Sequence, residues 1–297
     1  MSQARPLALV TGASSGIGEE IGAQLAERGY DLAIVARRED RLRALAERLE
    51  ARHPIRCDVI TADLASRDDR DRVIDHLLAE AGRLEVLVNN AGFGTHGFFH
   101  ETDLDRELEL IAVNCAAPVH LAKRLLPAML ARRRGFILNV GSVAGFTPGP
   151  VMALYYASKA FLLSFSEALW EECRDTGVGV TALCPGPVRT EFQSSAGLSP
   201  KARSSGATPI PVEQVARDGI EGMLRGERVV IPGYQNRIAA FLARYSPRTR
   251  ALRTVRAIQE ERRRQSRNVD SRNMGEADAR PRHPGTPEPR SRRRGEP

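Results

Sequence analysis

The chain has 297 residues, a length that suits one large α/β domain or two small ones. Its net charge of +7 is unevenly placed, because residues 262–297 hold 11 arginines against five acidic residues while the rest is close to neutral. A basic balance confined to the last segment argues against a nucleic-acid-binding protein.

The cysteines and apolar residues argue against two further classes. Four cysteines are scattered without a C-x-x-C pair, so we expect reduced thiols and no bound metal. No run of 18 or more apolar residues occurs, and a glycine-rich turn falls within the first twenty residues. We therefore predict neither a membrane span nor a signal peptide, and we expect a cytoplasmic location.

Short apolar runs alternate with helical patterns from residue 7 onward. These runs predict seven strands, at residues 7–10, 31–36, 59–62, 86–88, 136–140, 178–184 and 229–231. Helical patterns separate them, with long ones at about 103–131 and 151–176 and later ones at about 212–224 and from about 236. Continuous apolar strands are typical of a sheet that is covered by helices on both faces. We therefore predict an α/β protein with one doubly wound parallel sheet.

Two segments depart from this alternation. Residues 193–211 are rich in Ser, Gly, Ala and Pro and follow the sixth strand, so we interpret them as a mobile flap over a site. Residues 262–297 have almost nothing to bury, and we predict a disordered tail after a single domain at 1–261. A solvated extension is the favoured interpretation of the tail, ahead of contact with acidic lipid or nucleic acid.

The helix predicted from about residue 236 has an apolar face. It carries Ile238, Phe241, Leu242 and Tyr245 at helical spacing among arginines. A core or subunit-contact helix is the favoured interpretation, and a helix on a membrane surface is the alternative.

A glycine-rich turn follows the first strand. Gly12 allows the chain to leave the strand sharply, Gly16 allows the backbone to approach a pyrophosphate, and Gly18 allows the next helix to pack closely. A helix that starts here would attract phosphate through its free N–H groups. The spacing is G-x-x-x-G-x-G rather than G-x-G-x-x-G, so a turn without a ligand is the alternative.

Polar or flexible residues follow each of the first six strands. They are Gly12 to Gly18, Arg37, Asp63, Asn89 to Gly92, Ser142 and Pro185-Gly186. Ligands of open α/β sheets bind outside the carboxyl ends of the strands, where these residues are expected to meet. A shared edge for all six groups predicts one binding site.

Tyr155 and Lys159 lie four residues apart in a helical pattern, so both side chains project from one face. A nearby ammonium can lower the pKa of the phenol by ~2 to 3 units and so prepare it for proton transfer near neutrality. An exposed, solvated pair is the alternative. Lysine occurs only three times in this chain against 41 arginines, which favours a role for Lys159.

The joint pattern resembles one known family. It comprises Thr11-Gly12-x-x-x-Gly16-x-Gly18, Asn89-Asn90-Ala91-Gly92, Asn114, Ser142, Tyr155-x-x-x-Lys159 and Pro185-Gly186, over residues 5 to about 235. In order and spacing it resembles the short-chain dehydrogenase/reductase family. The resemblance implies a Rossmann fold, and hydride transfer between a nicotinamide cofactor and a carbonyl or alcohol without a metal.

The resemblance also implies residue roles. Tyr155 would be the general acid/base, Ser142 would hold the substrate oxygen, and Asn114 would hold a water in the proton relay. Lys159 would bind the nicotinamide ribose and lower the Tyr155 pKa. Tyr156 competes with Tyr155, but only Tyr155 lies four residues before Lys159. Taken singly, Ser142 is better explained as a strand-end cap and Asn114 by a hydrogen bond inside a helix.

The cofactor is expected to be NADP(H). Arg37 and Arg38 stand where an acidic residue would favour NAD, and a guanidinium can pair with the 2′-phosphate. The alternative is that both arginines cap Glu39 and Asp40. The full set of predicted cofactor-binding residues is Gly12, Ser14, Ser15, Gly16, Ile17, Gly18, Arg37, Arg38, Asp63, Asn90, Ala91, Gly92, Tyr155, Lys159, Pro185, Gly186, Val188 and Thr190. By resemblance, Asp63 would contact the adenine amine, and Val188 and Thr190 the carboxamide.

The substrate is expected to be a lipophilic carbonyl compound or alcohol. The predicted pocket residues are Phe93, His96, Ser142, Val143, Phe146, Met152, Tyr155 and Phe192, with the flap, and they carry little charge. His96 is expected on the wall rather than as a base. The resemblance implies a homodimer or homotetramer. An NADP-binding redox sensor without turnover is the alternative function, although a sensor would not need the Tyr155–Lys159 pair.

Overall fold

The computed structural model describes residues 5–192 and 209–278, with the backbone alone described for residues 266–278. Seven strands form one sheet: β1 (Leu7–Thr11), β2 (Asp31–Ala36), β3 (Cys57–Thr61), β4 (Leu84–Asn89), β5 (Gly135–Val140), β6 (Val178–Leu183) and β7 (Val229–Val230). All neighbours are parallel, in the order β3-β2-β1-β4-β5-β6-β7. The order reverses between β1 and β4, which places a crevice at their carboxyl ends.

Helices cover both faces of this sheet. They are α1 (Gly16–Glu27), α2 (Glu39–Arg52), α3 (Arg67–Ala79), α4 (Leu104–Ile111), α5 (Ala117–Arg132), α6 (Ala153–Glu172), α7 (Val212–Leu224), α8 (Tyr234–Tyr245) and α9 (Arg248–Asp278). A π-helical segment, Ala112–Ala116, joins α4 to α5, and a 3₁₀ turn, Val143–Phe146, follows β5.

The core consists of two apolar layers, one on each face of the sheet. Strand side chains alternate between the layers, so Val10 of β1 faces Leu25 of α1 in one cluster. Its neighbour Leu9 lies in the second cluster with Val73 of α3 and Leu125 of α5. Because both faces are covered, the strands are apolar at nearly every position.

The predicted doubly wound sheet is confirmed. No predicted strand boundary differs from the observed one by more than two residues. The long helix predicted at 103–131 is α4 and α5 with the π-helical segment between them. Of the predicted flap, residues 193–208 lie outside the described residues, and Ile210 pairs with Val188 in an isolated bridge.

Residues 262–278, which the sequence assigns to a predicted disordered tail, are helical in this structure. They continue helix α9, which runs to Asp278, and the remainder of the predicted tail lies outside the described residues. Arg, Glu and Gln are good helix formers even without an apolar face. The helix is also held by tertiary contacts, since the Arg263 guanidinium stacks 4.4 Å from the centre of the Phe98 ring and pairs with Glu101.

Helix α8 does not belong to the core. Its predicted apolar face is exposed: Ile238 by 42%, Phe241 by 62%, Leu242 by 56% and Tyr245 by 68%. The interpretation as a core helix is therefore wrong, because α8 contributes only Asn236 and Ala240 to the buried interior. In the part of the chain that the structure describes, no helix combines the length and apolarity that crossing a membrane requires.

A buried polar network joins β4, β5 and α6 beneath the site. Asn139 is fully buried, accepts a hydrogen bond from the Asn89 amide at 2.8 Å and donates one to the Ser166 hydroxyl at 2.9 Å. Ser166 in turn donates to the Leu162 carbonyl at 2.6 Å. Although Asn89 Oδ1 has no hydrogen-bond partner among the described residues, the bonds that are formed hold the three elements in one arrangement.

We expect Asn139→Ala to lower the free energy of unfolding by about 2 to 4 kcal/mol, because it leaves the Asn89 amide N–H unpaired and opens a small cavity. Urea titration followed by circular dichroism measures the loss. Ser166→Ala removes only one partner of Asn139 and should lose about 1 kcal/mol. An Asn139→Ala variant as stable as the wild type would contradict the role assigned to the network.

Candidate active site

A cavity of about 1310 Å³ runs past the glycine-rich turn and the residues that follow strands β2 to β6. It also reaches residues of the two last helices, α8 and α9. The polar residues that the sequence predicts at one edge of the sheet thus lie together on the wall of one cavity. The ends of parallel strands create such a crevice because the chain turns away there in both directions.

The glycine-rich turn packs so closely against its neighbours that its glycines leave no room for a side chain. Gly12 and Gly16 have φ angles of +66° and +62°, which disfavour other residues. A Cβ at Gly12 would lie 2.8 Å from the Cα of Ala91, and one at Gly16 would lie 3.0 Å from the Thr190 side chain. Gly18 does not line the cavity, and a Cβ there would lie 2.2 Å from Asn90 Nδ2.

Hydrogen bonds tie the turn to the end of β4. The Thr11 hydroxyl donates to the Val88 carbonyl at 3.1 Å and accepts from the backbone N–H groups of Asn90 and Ala91 at 3.0 and 3.1 Å. Asn90 Nδ2 donates to the carbonyls of Thr11 and Gly12 at 2.9 and 3.2 Å. The Asn90 side chain is therefore used within the protein, beneath the turn.

Ser142, Tyr155 and Lys159 meet on one wall of the cavity. Tyr155 and Lys159 lie one turn apart on α6 and are 9% and 5% exposed. The Ser142 hydroxyl, just beyond β5, hydrogen-bonds the Tyr155 phenol. Lys159 Nζ donates to the Val140 carbonyl at 2.8 Å and lies 5.9 Å from the centre of the Tyr155 ring.

Burial dominates the titration of this pair. It raises the pKa of the Tyr155 phenol above its usual value, and the Ser142 hydrogen bond opposes the rise. Burial also lowers the pKa of Lys159 from 10.5 to about 8. The expected lowering of the Tyr155 pKa by Lys159 is therefore not seen in this structure, because burial has the larger effect.

Asn114 is placed behind the wall rather than on it. It lies in the π-helical segment and is 1% exposed. Its Oδ1 accepts from the Phe93 N–H at 3.1 Å, and its Nδ2 donates to the Phe93 carbonyl at 2.9 Å and to the Ser158 hydroxyl at 3.0 Å. The side chain thus holds the segment after β4, and the predicted role in a proton relay stays a prediction.

Arg37 and Arg38 follow β2 and both line the cavity. Arg38 donates to the hydroxyls of Ser14 and Ser15 at 3.0 and 2.9 Å, which brings its guanidinium over the glycine-rich turn. Arg37 pairs with Glu109 at 2.9 Å.

The capping alternative for these arginines does not match the contacts. Arg38 pairs with Glu191 at 2.7 Å, while Glu39 pairs with Arg43 of its own helix at 2.6 Å. The two guanidiniums are held at the cavity rather than on the first turn of α2.

The other predicted cofactor residues also lie on the wall. These are Ile17, Asp63, Asn90, Ala91, Gly92, Pro185, Gly186, Val188 and Thr190. Asp63 accepts from the Ala65 N–H at 2.9 Å, and Thr190 lies against Gly16. Their individual contacts with a nucleotide stay predictions.

Part of the predicted substrate wall lies on the cavity, and its contact with a substrate stays a prediction. Phe93, Val143, Met152 and Phe192 line the cavity beside Tyr155, and the Phe192 ring lies 5.2 Å from the Tyr155 ring, centre to centre. Phe146 and His96 are not among the lining residues.

Packing explains why Phe146 and His96 lie away from the cavity. Phe146 packs instead with Leu163, Ala182 and Cys184, between α6 and β6. His96 is turned toward α9, where it hydrogen-bonds the Gln259 backbone, and burial lowers its pKa.

Sequence reasoning missed the contribution of α9. Gln259 is 2% exposed, lines the cavity and donates to the Tyr156 hydroxyl at 3.0 Å, while its Oε1 is buried without a hydrogen-bond partner among the described residues. The Tyr156 hydroxyl is therefore held by α9, and the choice of Tyr155 over Tyr156 stays a prediction. The signal was absent from the sequence, because the contact joins residues 103 positions apart.

A family model described as short chain dehydrogenase matches residues 6–200. The chain belongs to this family. Among solved structures, a short-chain dehydrogenase from Sphingobium yanoikuyae in complex with NADPH has 35% sequence identity and a TM-score of 0.73, over 80% of this chain and 92% of that one. A bulky-bulky ketone specific alcohol dehydrogenase from Comamonas testosteroni has 33% identity and a TM-score of 0.70 over the same shares.

A curated relative is the very-long-chain 3-oxoacyl-CoA reductase of Aspergillus clavatus, 32% identical over 207 residues. The match covers 69% of this chain but 58% of that protein, so the chain spans less than two thirds of its length. The curated relative is named a reductase, and the two solved neighbours are named a dehydrogenase in complex with NADPH and a ketone-specific alcohol dehydrogenase. The Rossmann fold of this chain agrees with the solved neighbours.

The buried ammonium predicts a pH dependence of stability. Between pH 8 and pH 10.5 the unfolded chain holds a proton on Lys159 that the folded chain has lost, so folding is favoured as the pH rises through that window. We expect the free energy of unfolding of the wild type, relative to Lys159→Met, to rise by about 1 to 3 kcal/mol between pH 7.5 and 9.5.

Urea titrations at several pH values measure this difference. Lys123→Met serves as the control, because Lys123 is exposed on α5, and its curve should run parallel to that of the wild type. A Lys159→Met curve that also runs parallel would show that the buried ammonium has an ordinary pKa.

Proposed function

We propose that this protein is an NADP(H)-dependent oxidoreductase that transfers a hydride between nicotinamide and the carbonyl or secondary alcohol of a lipophilic small molecule, with Tyr155 as general acid/base. The observation that carries the proposal is the placement of Ser142, Tyr155 and Lys159 on the wall of the cavity that also contains the glycine-rich turn. One cavity therefore offers a nucleotide cradle and a proton donor side by side.

The residues present fit a dinucleotide. The free N–H groups at the start of α1 and the hydroxyls of Ser14 and Ser15 suit a pyrophosphate. Because Gly12 and Gly16 have no side chain, the backbone of the turn can come close to it. Lys159 has its ammonium on the side of the cavity where a ribose would lie against Tyr155. When bound, NADPH supplies the hydride.

The side chains would manage charge and protons in the reductive direction. Negative charge develops on the substrate oxygen as the carbonyl carbon is reduced, and hydrogen bonds from Ser142 and Tyr155 stabilise it there. Tyr155 then delivers its proton to that oxygen. A charged Lys159 would favour the phenolate that remains, which offsets the burial that otherwise raises the Tyr155 pKa.

A preference for NADP(H) rests on Arg37 and Arg38. Their guanidiniums lie at the cavity after β2, where a 2′-phosphate would sit on the adenosine ribose. Arg38, which bonds Ser14 and Ser15, is already oriented over the turn. A charge-assisted contact is worth about 1.5 to 3 kcal/mol, which corresponds to roughly a 10- to 100-fold preference.

A bulky, lipophilic substrate is supported by the wall beside Tyr155. Phe93, Val143, Met152 and Phe192 contribute apolar surface, and Gln259 contributes one unpartnered amide oxygen. The relatives named for bulky ketones and for very-long-chain oxoacyl thioesters agree with a large apolar pocket. The proposal is therefore a bulky ketone or its alcohol with few charges.

A homo-oligomer is supported by an apolar face on α4. Leu104, Leu108 and Ile111 are exposed by 66%, 54% and 42% and share one side of the helix. Isolated apolar stripes of this kind are common at subunit contacts. The predicted homodimer or homotetramer is retained as part of the proposal.

We expect Tyr155→Phe to lower kcat for ketone reduction by about 10³-fold or more, because the proton donor is lost while the ring that packs against Phe192 is kept. NADPH absorbance is followed over a panel of ketones, aldehydes and acyl thioesters. Tyr30→Phe, a change at a tyrosine outside the cavity, should leave the rate unchanged.

An NADPH-binding measurement, compared with turnover on the same panel, separates the proposed enzyme from a redox sensor. If the wild type binds NADPH but reduces and oxidises nothing on the panel, the sensor replaces the proposed enzyme. Equal turnover by the wild type and Tyr155→Phe would remove Tyr155 from the mechanism.

We expect Arg37→Asp and Arg38→Asp each to weaken NADPH binding by about 10- to 100-fold and to affect NADH binding much less, because a carboxylate repels the 2′-phosphate. Nucleotide fluorescence titration measures both constants. Arg43→Asp, on the exposed side of α2, is the matched control. Equal losses for the two nucleotides would refute the predicted preference.

A further inference from the structure

Helix α8 presents an apolar and aromatic stripe to the outside of the protein. Tyr234, Ile238, Phe241 and Tyr245 follow one another at a spacing of three or four residues and are exposed by 77%, 42%, 62% and 68%. Leu242, which is 56% exposed, widens the stripe. The Phe241 and Tyr245 rings lie 4.6 Å apart, centre to centre, so they form one surface.

The segment that carries this stripe is strongly basic. Residues 232–259 contain six arginines and no Asp or Glu, and all six arginines are exposed. They are Arg237, Arg244, Arg248, Arg250, Arg253 and Arg256. Of these six, Arg256 forms an ion pair with another described residue, Glu260, at 2.8 Å. An apolar stripe in a segment with excess positive charge favours an occupant that is apolar within and negative at its surface.

We propose that α8 and the first turns of α9 lie on the surface of an anionic lipid bilayer. The aromatic rings of Phe241 and Tyr245 enter the boundary between headgroups and acyl chains, and the arginines bind the phosphates above it. This surface is independent of the function proposed for the cavity. It replaces the sequence-based preference for a core or subunit contact.

A second copy of the chain is a poorer occupant. In a two-fold symmetric contact the same patch meets itself, so the excess of arginines on one copy would face the same excess on the other. Juxtaposed like charges of that number oppose association.

Nucleic acid is also a poorer occupant. It would meet the arginines, but contact with phosphates would leave the aliphatic part of the stripe, Ile238 and Leu242, against water. A bilayer accommodates both the charge and the apolar surface.

The position of the cavity agrees with a lipid surface. Leu242, Ala243 and Ser246 of this region also line the cavity, as do Arg250 and Thr254 of α9. The rim of the cavity therefore coincides with the proposed membrane face. A lipophilic molecule can pass between bilayer and cavity there without crossing water.

Sedimentation with lipid vesicles tests the proposal on the full chain. The wild type should pellet with vesicles of phosphatidylcholine that contain phosphatidylglycerol, less at high salt, and weakly with phosphatidylcholine alone. Phe241→Ser/Tyr245→Ser should lower the partition coefficient by roughly tenfold or more, because two buried rings are lost. Phe99→Ser removes an equally exposed ring, also 62%, outside α8 and should pellet like the wild type.

Three results would overturn the proposal. If the double variant pellets like the wild type, with its fold confirmed by circular dichroism, another part of the chain binds the vesicles. If the variant changes the oligomeric state in analytical ultracentrifugation and the wild type ignores vesicles, the occupant is a second copy. If a duplex DNA fragment binds the wild type and competes fully with the vesicles, while the double variant keeps its affinity for both, the surface is a phosphate-binding one without insertion.

Discussion

The site depends on the hydrogen bonds that join the ends of β1 and β4. Thr11 and Asn90 exchange contacts across this point, where the strand order of the sheet reverses. Because Asn90 fills the space beneath the glycine-rich turn, Gly18 has no room for a side chain. The N-terminus of α1, and with it the proposed phosphate site, therefore packs closely against the end of β4.

Burial sets the electrostatic character of the wall. Lys159 and Tyr155 are both removed from water, so each is pushed toward its neutral form. The Val140 carbonyl compensates the ammonium in part, and Ser142 hydrogen-bonds the phenol. The pKa values of this pair respond strongly to a charge that enters the cavity, because a charge in a poorly solvated site acts strongly on its neighbours. Stability and chemistry therefore depend on the same two side chains.

The last two helices, α8 and α9, link the cavity to an exposed surface of the protein. Through Gln259 and Tyr156, helix α9 closes the cavity behind Tyr155, and through its first turns it continues the basic surface of α8. The apolar stripe of α8 lies at the rim of that cavity. Helices α8 and α9 thus connect the proposed catalytic centre to the proposed lipid surface. The large apolar pocket and the exposed stripe both suit lipophilic molecules.

The sequence by itself determined the sheet, because runs of apolar residues that are buried on both faces alternate with amphipathic helices. The four-residue spacing also determined that Tyr155 and Lys159 project from one face of a helix. Those features follow from local pattern and from the rule that parallel strands end at one edge. Only the tertiary structure decided that Phe146 packs away from the cavity, that α8 is exposed and that residues 262–278 are helical. The reason is physical: an apolar side chain or a helix former carries no mark of its partner, and which surface it meets depends on contacts such as Gln259 with Tyr156, between residues far apart in the chain.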